Sequence, residues 1–207
     1  MNLWPGSAYI ILAFVSGSVP YSWLLGRLRG VDIRSVGSGN AGATNLARAC
    51  GKSWGAVGLL LDALKGAFPL VMIRAGVFGV AEDPDLCMSL AMVMAVLGHV
   101  YSPWLRFRGG KGVATTLGAL LVLAPGTVGI GLALFASVFA AWRYVSLASV
   151  CGAVGLIPAA LFLESGRTTV QAVITLVSVF IVVKHSSNIR RLVRGEEKRF
   201  GGGRGDG

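Results

Sequence analysis

Long apolar segments separated by short polar connections run through most of the 207-residue chain. A membrane-spanning helix needs about 20 consecutive apolar residues. The pattern predicts seven spans: two within residues 113–142, and one each at residues 4–26, 54–73, 86–105, 145–163 and 170–183. Pro125 and Gly126 divide the longest segment in two because neither residue favours a helix interior. Pro20 is expected to bend or end the first helix. We therefore predict an all-α polytopic membrane protein.

Charged residues are few and are unevenly placed along the chain. They make up 14% of the sequence, against roughly 25% in soluble domains. Sixteen of the nineteen Lys and Arg fall in alternate connections, at residues 27–52, 106–111, 143 and from 184 onward. The positive-inside rule places these connections in the cytoplasm, with the N-terminus outside and the C-terminus cytoplasmic. The net charge of +10 is thus explained by membrane topology rather than by nucleic-acid binding.

The predicted domain organisation is simple. Residues 1–200 are expected to form a single seven-helix membrane domain, and residues 201–207 a glycine-rich flexible tail. The three cysteines are widely separated and lack the spacing of metal ligands. We interpret Cys50, Cys87 and Cys151 as small packing residues.

A glycine-rich polar segment follows the first span, at residues 37–48. Glycine lets a backbone approach a phosphate closely and turn its N–H groups towards it. Short polar side chains add hydrogen bonds, and the planar guanidinium of arginine matches phosphate oxygens. The alternative is a merely flexible connection. We favour anion binding, and the residues that support it are Gly37, Ser38, Gly39, Asn40, Gly42, Thr44, Asn45 and Arg48.

Two nucleotide-binding motifs partly match this region, and we reject both. The glycine spacing at residues 37–42 is that of the dinucleotide fingerprint, but no strand precedes it and no βαβ unit can be drawn. Residues 51–53 resemble the end of a P-loop, but Leu46 stands where the first glycine is needed. A nicotinamide or flavin site is therefore excluded.

A second glycine-rich basic segment, residues 106–112, is predicted to lead into a helix. The N-terminus of a helix offers free N–H groups and a positive dipole end, so an anion there would also meet Lys111. Gly110 and Gly112 flank this lysine closely, which favours a binding role. The two arginines of the segment are assigned to holding it on the cytoplasmic side.

Two further polar clusters lie in predicted cytoplasmic connections. Arg143, Ser146 and Ser149 are spaced three apart and would form one polar stripe at the start of a helix. His185 and Asn188 would share a face if the seventh helix continues. His185 could accept a proton near neutral pH.

The remaining ionisable residues are given supporting roles. Asp62 and Lys65 lie inside the second predicted span at a spacing that allows them to pair, and we interpret them as a structural ion pair. His99 ends the third span, and either a structural hydrogen bond or a ligand role fits it. Anionic lipid headgroups are the expected partners of three tail arginines, Arg190, Arg191 and Arg194.

With these residues assembled, the chain closely resembles the bacterial acyl-phosphate:glycerol-3-phosphate acyltransferase family. The shared motifs are Gly-Ser-Gly-Asn-Ala-Gly-Ala-Thr-Asn-x-x-Arg at 37–48, Asp-x-x-Lys-Gly at 62–66, Gly-His-x-x-x-Pro at 98–103, Gly-Gly-Lys-Gly-Val-Ala-Thr at 109–115, Arg-x-x-Ser-x-x-Ser at 143–149 and His-x-x-Asn-Ile-x-Arg at 185–191. They cover nearly the whole chain except its glycine-rich end. One departure is the short link at Pro125-Gly126, which makes the fourth and fifth spans compact.

The resemblance implies a seven-span enzyme of the bacterial inner membrane whose active site faces the cytoplasm. Its reaction would transfer a fatty acyl group from long-chain acyl phosphate to glycerol 3-phosphate, giving lysophosphatidate and phosphate. No metal or cofactor is implied, and neither acyl carrier protein nor coenzyme A is the direct donor. Membrane lipids and the soluble enzyme that makes acyl phosphate are the expected partners, and nucleic acid is not.

The resemblance also implies roles for individual residues. Lys111 is assigned to charge on phosphate or on the oxyanion, and Ser38, Asn40 and Ser149 to orienting hydrogen bonds. The base is either His185 or the leaving phosphate, and which loop binds which phosphate stays open. The catalytic set is Lys111, His185, Ser149 and Ser38. The substrate-binding set is Gly37, Gly39, Asn40, Gly42, Thr44, Asn45, Arg48, Gly110, Gly112, Arg143, Ser146 and Asn188.

A transporter of organic phosphates is the competing hypothesis. Transporters place their binding groups near the bilayer midplane and often contain inverted repeats. Here the polar groups are predicted at one face, and no convincing repeat is visible. A membrane-anchoring scaffold would leave the glycine-rich motifs unexplained. Acyl transfer is therefore the favoured hypothesis.

Overall fold

The computed structural model describes residues 5–201 of the chain. The predicted start of the first span at Trp4 and the predicted tail beyond Gly201 lie outside these residues. All regular secondary structure in the described part is helical. The chain divides into two compact units, one up to Ala124 and the other from Pro125 onward. The single membrane domain expected for residues 1–200 stays a prediction.

Helices form most of the described part of the first unit. They are α1 (Pro5–Ser18), α2 (Tyr21–Leu28), α3 (Ala43–Cys50), α4 (Lys52–Arg74), α5 (Pro84–Val100) and α6 (Val113–Leu123). Short 3-10 turns at Ile33–Ser35 and Pro103–Leu105 lie in the connections. The principal packing pairs are α1 with α5 and α4 with α6.

Glycines bring the backbones of these helices into close contact. A Cβ at Gly66 of α4 would overlap the Thr115 carbonyl in α6, and a Cβ at Gly118 would overlap the Ala63 carbonyl. A Cβ at Gly98 would likewise overlap the backbone of α1. Small residues at helix crossings are typical of membrane proteins because they let two backbones approach closely. The α4–α6 crossing holds the first turns of α6 firmly against α4.

Proline interrupts two apolar segments at the predicted positions. Pro20 separates α1 from α2, and Pro125 begins α7 after the single residue Ala124 that follows α6. Proline has no backbone N–H, so it cannot continue the helical hydrogen bonds of the preceding turn. The Arg74 side chain donates instead to the carbonyl of Val122 in the last turn of α6. Both predicted breaks are confirmed.

The second unit contains α7 (Pro125–Trp142), α8 (Val145–Leu163), α9 (Thr168–Lys184) and α10 (Ser186–Val193). Helix α8 packs against both α7 and α9. Thr127 donates from Oγ1 to Oε1 of the buried Glu164 at 2.8 Å, and Arg167 pairs with the other carboxylate oxygen at 2.5 Å. These contacts fix the start of α7 against the turn between α8 and α9.

Within residues 5–201, five helical segments are long and apolar enough to cross a bilayer, namely Gly6–Leu28, Lys52–Arg74, Pro84–Leu105, Pro125–Trp142 and Val145–Leu163. Helices α9 and α10 qualify together as a sixth, although they are bent by 53°. Helix α6, at the fourth predicted span, has 11 residues and is shorter than the roughly 17 that a span needs. Seven spans with the N-terminus outside therefore stay a prediction.

The long helices expose large apolar side chains. Such a surface is unfavourable in water, where contiguous apolar patches are small, and is stable against lipid. Examples that are about half exposed or more are Leu60 and Leu64 on α4, Leu161 on α8, and Leu176 and Val179 on α9. This exposure agrees with a membrane-embedded protein.

Candidate active site

Positive φ angles shape the first glycine-rich segment. Gly37 has φ +61° and Gly39 has φ +69°, a left-handed region in which residues with a Cβ are strained. The Gly39 N–H donates to the carbonyl of Val36 at 3.0 Å, which closes a turn. Both glycines are exposed, as is Ser38 between them.

The buried side chain of Asn45 stabilises this turn through hydrogen bonds to its backbone. Its side chain is 1% exposed, and its Oδ1 accepts from the Ser38 N–H at 3.0 Å. Its Nδ2 faces the carbonyls of Ile33 at 2.5 Å, Val36 at 3.1 Å and Asn40 at 3.0 Å. The amide of Asn45 is thus used within the protein, so the structure favours a supporting role over the predicted substrate contact.

The backbone donors of the segment are also largely used internally. Asn40 accepts from the Gly42 N–H at 2.9 Å through Oδ1, directly before α3 begins. The N–H groups of Ser38, Gly39 and Gly42 all donate inside the loop. Our expectation that these backbone donors face a ligand is therefore wrong at these three positions. The exposed Ser38 and the half-buried Arg48 and Thr44, both on α3, remain the predicted ligand contacts.

The second glycine-rich segment is built differently. Gly110 is buried, and the N–H groups of Gly109 and Gly110 donate to the carbonyls of Val100 and His99 at 3.0 and 3.3 Å. Gly112 has φ +87° and is the N-terminal cap residue of α6. Lys111, half-buried, lies between these glycines. The predicted placement of Lys111 at the start of a helix is confirmed.

Two threonines follow in the first turn of α6. Thr115 and Thr116 are 0% and 3% exposed, and within residues 5–201 their hydroxyl groups have no hydrogen-bond partner. A buried hydroxyl without a partner carries a free-energy cost, so such groups are uncommon in folded proteins. The start of α6 therefore combines a helix N-terminus, a lysine and two buried hydroxyls.

The predicted stripe in the second unit is only partly formed. Arg143 has φ +61° and precedes α8, so it is exposed and lies off the helix. The predicted stripe is therefore wrong at Arg143. Ser146 and Ser149 are on α8 and are both 6% exposed. The Ser149 hydroxyl donates to the Val145 carbonyl at 2.8 Å, four residues earlier.

His185 stands at the bend between α9 and α10. It is 3% exposed, and its Nδ1 lies 2.8 Å from the Ile181 carbonyl. Because a carbonyl can only accept, Nδ1 carries the proton and the neutral ring has its lone pair on Nε2. The chain bends by 53° between α9 and α10 at His185, so the condition under which His185 and Asn188 would share one helical face is not met.

Glu197 is a residue that the sequence analysis did not identify. It is 8% exposed, and its Oε1 accepts from Ser146 Oγ at 2.7 Å and from Asn188 Nδ2 at 2.6 Å. Its Oε2 accepts from Arg191 Nε at 2.8 Å. Burial opposes ionisation, but these hydrogen bonds outweigh it and lower the pKa of Glu197. The only sequence signal was an acidic pair in an otherwise basic tail.

The tail beyond α10 therefore folds back within the second unit. The Phe200 N–H donates to the Arg143 carbonyl at 2.7 Å, and the Arg199 guanidinium lies over the Tyr144 ring at 5.4 Å. Arg191 is paired with Glu197, and the binding of lipid headgroups by the tail arginines stays a prediction. The role of this segment is to support the start of α8.

Comparisons with known proteins bear on what these residues do. A family profile described as glycerol-3-phosphate acyltransferase matches residues 7–195. A glycerol-3-phosphate acyltransferase of Trichlorobacter lovleyi is 42% identical over 195 residues, which cover 94% of this chain and 97% of the relative. This chain belongs to the glycerol-3-phosphate acyltransferase family. A Myxococcus xanthus enzyme of the same description is 44% identical over 94% of this chain and 99% of its own length.

Solved structures of the family agree with the fold. The chain is similar to an integral membrane glycerol 3-phosphate acyltransferase in its glycerol 3-phosphate form, with a TM-score of 0.86 and 34% identity over 95% of this chain and 96% of that chain. The lysophosphatidic acid form aligns with a TM-score of 0.83 and 33% identity, over 95% of each chain. The chain is therefore a multi-pass membrane acyltransferase of lipid biosynthesis.

Proposed function

We propose that this protein transfers a fatty acyl group from acyl phosphate to glycerol 3-phosphate, giving lysophosphatidate and phosphate. Family membership supports glycerol 3-phosphate as the acceptor, because the solved relative has glycerol 3-phosphate and lysophosphatidic acid forms. The donor is the one that the family resemblance implies, and its chemistry suits a direct transfer. Acyl phosphate is a mixed anhydride, so its carbonyl is already activated and the protein need not form an acyl intermediate.

The observation that carries the proposal is the environment of Lys111. This lysine precedes the N-terminus of α6, where backbone N–H groups and the helix dipole favour an anion. The buried hydroxyls of Thr115 and Thr116 without partners in the described residues lie in the same turn. A phosphate accepts several hydrogen bonds and carries negative charge, so it suits this combination of groups. We assign Lys111 and the start of α6 to a substrate phosphate or to the oxyanion.

The proposed chemical step is a direct acyl transfer. A glycerol hydroxyl oxygen attacks the acyl carbonyl and forms an ester bond, the carbonyl–phosphate oxygen bond breaks, and phosphate leaves with its electron pair. The hydroxyl proton passes to a base. The protein would accelerate this step by holding the two substrates in register and by stabilising the oxyanion.

The family resemblance implies His185 as one candidate base. The tautomer of His185 leaves the lone pair on Nε2, which is the form required of a proton acceptor. The departing phosphate is the other candidate, and it would need no protein group. Ser149 already donates its proton to a backbone carbonyl, which suits an orienting role through its oxygen lone pairs. Asn188 and Ser146 are held by Glu197, and we propose that they orient substrate.

The proposed location is the bacterial inner membrane, with the reaction on the cytoplasmic face. The inner membrane is what the family resemblance implies, and the cytoplasmic face is supported by the alternate connections that hold most of the Lys and Arg residues. Lysophosphatidate is an amphiphile, so a membrane enzyme can release it directly into the leaflet in which it acts. The soluble enzyme that makes acyl phosphate would supply the donor.

The test uses the purified full-length protein in detergent. We expect it to form lysophosphatidate from glycerol 3-phosphate and acyl phosphate alone, with stoichiometric release of inorganic phosphate. A parallel reaction contains acyl coenzyme A in place of acyl phosphate. Turnover only with acyl coenzyme A would refute the proposed donor, and no turnover with either donor would refute the proposed function.

A further inference from the structure

Asp62, Lys65 and His99 form a buried polar cluster in the described part of the first unit and have no part in the proposed chemical step. Asp62 and Lys65 on α4 are 1% and 4% exposed, and His99 in the last turn of α5 is 7% exposed. Burial of charged groups in a membrane protein is costly, and such groups usually mark a functional site or its support. Their contacts show which part of the protein they support.

The carboxylate of Asp62 is the centre of the cluster. Its Oδ1 pairs with Lys65 Nζ at 2.9 Å, and its Oδ2 accepts from Ser22 Oγ at 2.6 Å. Lys65 Nζ also donates to the Val19 carbonyl at 2.6 Å, next to the break between α1 and α2. The predicted ion pair is thus confirmed, and it fixes α4 against the first two helices.

His99 connects this cluster to the segment that contains Lys111. Its Nδ1 has no hydrogen-bond partner within residues 5–201 and lies 3.8 Å from Asp62 Oδ1. Its backbone carbonyl accepts from the Gly110 N–H at 3.3 Å. A Cβ at Gly110 would overlap the His99 ring, so ring and loop are in direct contact. One face of His99 therefore meets the buried carboxylate and another meets the loop.

The C-terminal end of the loop, where α6 begins, is held by α4, the helix that also contains Asp62 and Lys65. Gly66, which follows Lys65 directly, packs against the Thr115 carbonyl in the first turn of α6. Residues 109–112 are therefore fixed at one end through His99 and at the other end through α4. Lys111 lies between these two supports, so a small displacement of either would move it.

We propose that His99 is a positioning residue for the Gly109–Gly112 loop and that Asp62 orients its ring. The proposal rests on the proposed function, because it takes this loop to bind a substrate phosphate. His99 touches neither substrate. It keeps Gly110, and with it Lys111, at the place where the phosphate binds, and the Asp62–Lys65 pair holds the carboxylate beside the ring.

The first experiment is a double-mutant cycle between His99 and Gly110. His99→Asn removes the ring, and Gly110→Ala adds the Cβ that collides with it. Each single variant is expected to raise the KM for glycerol 3-phosphate by roughly 10- to 100-fold, since small misplacements near a site cost about this much. In the double variant the added methyl group occupies space that the ring has left. The effects should therefore be clearly less than multiplicative.

Two outcomes of this cycle would overturn the proposal. One is a His99→Asn variant with the KM of the unaltered protein, and the other is a pair of effects that multiply independently. Ser89→Ala is the matched control, because Ser89 is another buried polar residue of α5 whose hydroxyl lacks a partner in the described residues. It is expected to leave KM unchanged.

The second experiment separates orientation of the ring from simple stabilisation. Asp62→Leu combined with Lys65→Met removes both charges together, which often preserves folding where removal of one charge does not. A positioning role predicts a folded protein with raised KM and weakened binding of glycerol 3-phosphate by calorimetry. A folded double variant with unaltered KM and binding would refute the role of Asp62.

The chain offers a matched control for this second experiment. Glu164 and Arg167 form a pair at the same spacing in the second unit. Glu164→Leu combined with Arg167→Met should leave KM unchanged, and an equal rise in KM would refute a specific role for the Asp62 pair. Failure of the proposed function is distinguishable, because the unaltered protein would then neither bind nor acylate glycerol 3-phosphate.

Discussion

Residues 37–48 and residues 109–112 are both glycine-rich, polar and basic, and both lead into helices of the first unit. In the first segment Gly37 and Gly39 have positive φ angles, so glycine is needed for its backbone freedom. In the second segment Gly109 and Gly110 are needed because a Cβ would overlap His99. The first segment is an exposed turn supported by one buried side chain, and the second is packed against neighbouring helices.

This difference shows that similar glycine content does not imply a similar binding surface. The first segment uses the N–H groups of Ser38, Gly39 and Gly42 internally, so it offers a ligand mainly side chains. The second leads into a helix that Lys111 precedes and whose first turn contains two buried hydroxyls. We therefore expect glycine substitutions in the second segment to disturb both helix packing and phosphate binding, and those in the first segment to act mainly through the conformation of the turn.

The largest effect is expected for Lys111→Ala. Loss of one charged donor to a phosphate or an oxyanion typically costs about 100- to 1,000-fold in rate. Steady-state kinetics with glycerol 3-phosphate should show this loss while thermal unfolding in detergent stays nearly unchanged. Arg108→Ala in the same exposed connection is the control and should lose little activity. Near-normal activity of Lys111→Ala would remove this lysine from the site.

The next largest effect is a loss of stability when Asn45, which supports residues 37–48, is substituted. Asn45→Ala removes four polar contacts and should destabilise the protein by about 2–4 kcal/mol. Asn45→Asp should be worse, although it has the same shape, because its carboxylate would face the three carbonyls that now accept from Nδ2. Chemical denaturation in detergent compares the two variants. An aspartate variant more stable than the alanine variant would contradict this account of the turn.

A direct comparison of the two segments uses asparagine, which tolerates positive φ better than other residues with a Cβ. Gly110→Asn should destabilise the protein by about 1–3 kcal/mol through overlap with His99. Gly39→Asn should cost less, about 1 kcal/mol, because φ is the principal constraint there and asparagine tolerates it. Thermal unfolding of both variants measures the difference. Equal costs would mean that the two glycines are needed for the same reason.

An effect on stability smaller than that of Gly110→Asn is expected at Glu197, which supports the start of α8 in the second unit. Its pKa is lower in the folded protein than in the unfolded chain, so its contribution to stability is fully present above the unfolded pKa of about 4.3. That contribution is lost as the pH falls through the lower folded pKa. Glu197→Gln should be less stable near neutral pH by about 1–2 kcal/mol.

Unfolding curves recorded from neutral pH down into the acid range test this assignment. The stability difference between Glu197→Gln and the unaltered protein should shrink towards low pH, because the glutamate is then protonated as well. A difference that stays constant with pH would show that the charge of Glu197 has no part in stability.

Much of the architecture was predictable from local sequence. Helix positions follow from apolar length, and the breaks follow from Pro20 and Pro125, which lack the N–H that a helix needs. The Asp62–Lys65 pair was predictable because i,i+3 spacing brings two side chains together on any helix. The limits of α6 were also predictable, since glycines precede its first residue and Pro125 stops the apolar segment after its last.

The roles of individual polar residues could be predicted only in part. Ser38, Lys111 and His185 were identified from residue type and their place beside apolar segments. The departure of Arg143 from α8 depends on its positive φ and on the tail that packs there, which no local pattern encodes. Glu197 was missed for the same reason, because its partner Ser146 lies 51 residues earlier in the chain.

The sequence by itself therefore determined the apolar helices, their breaks, the polar motifs and the family. These depend on chain-local physics, namely apolar length, missing donors and the spacing of residues along one helix. The tertiary structure decided which polar groups contact other groups of the protein. Asn45 hydrogen-bonds its turn, and Glu197 accepts from three side chains. His99 lies between Asp62 and Gly110. Such assignments require distances between residues far apart in the chain, and only the packed helices set those distances.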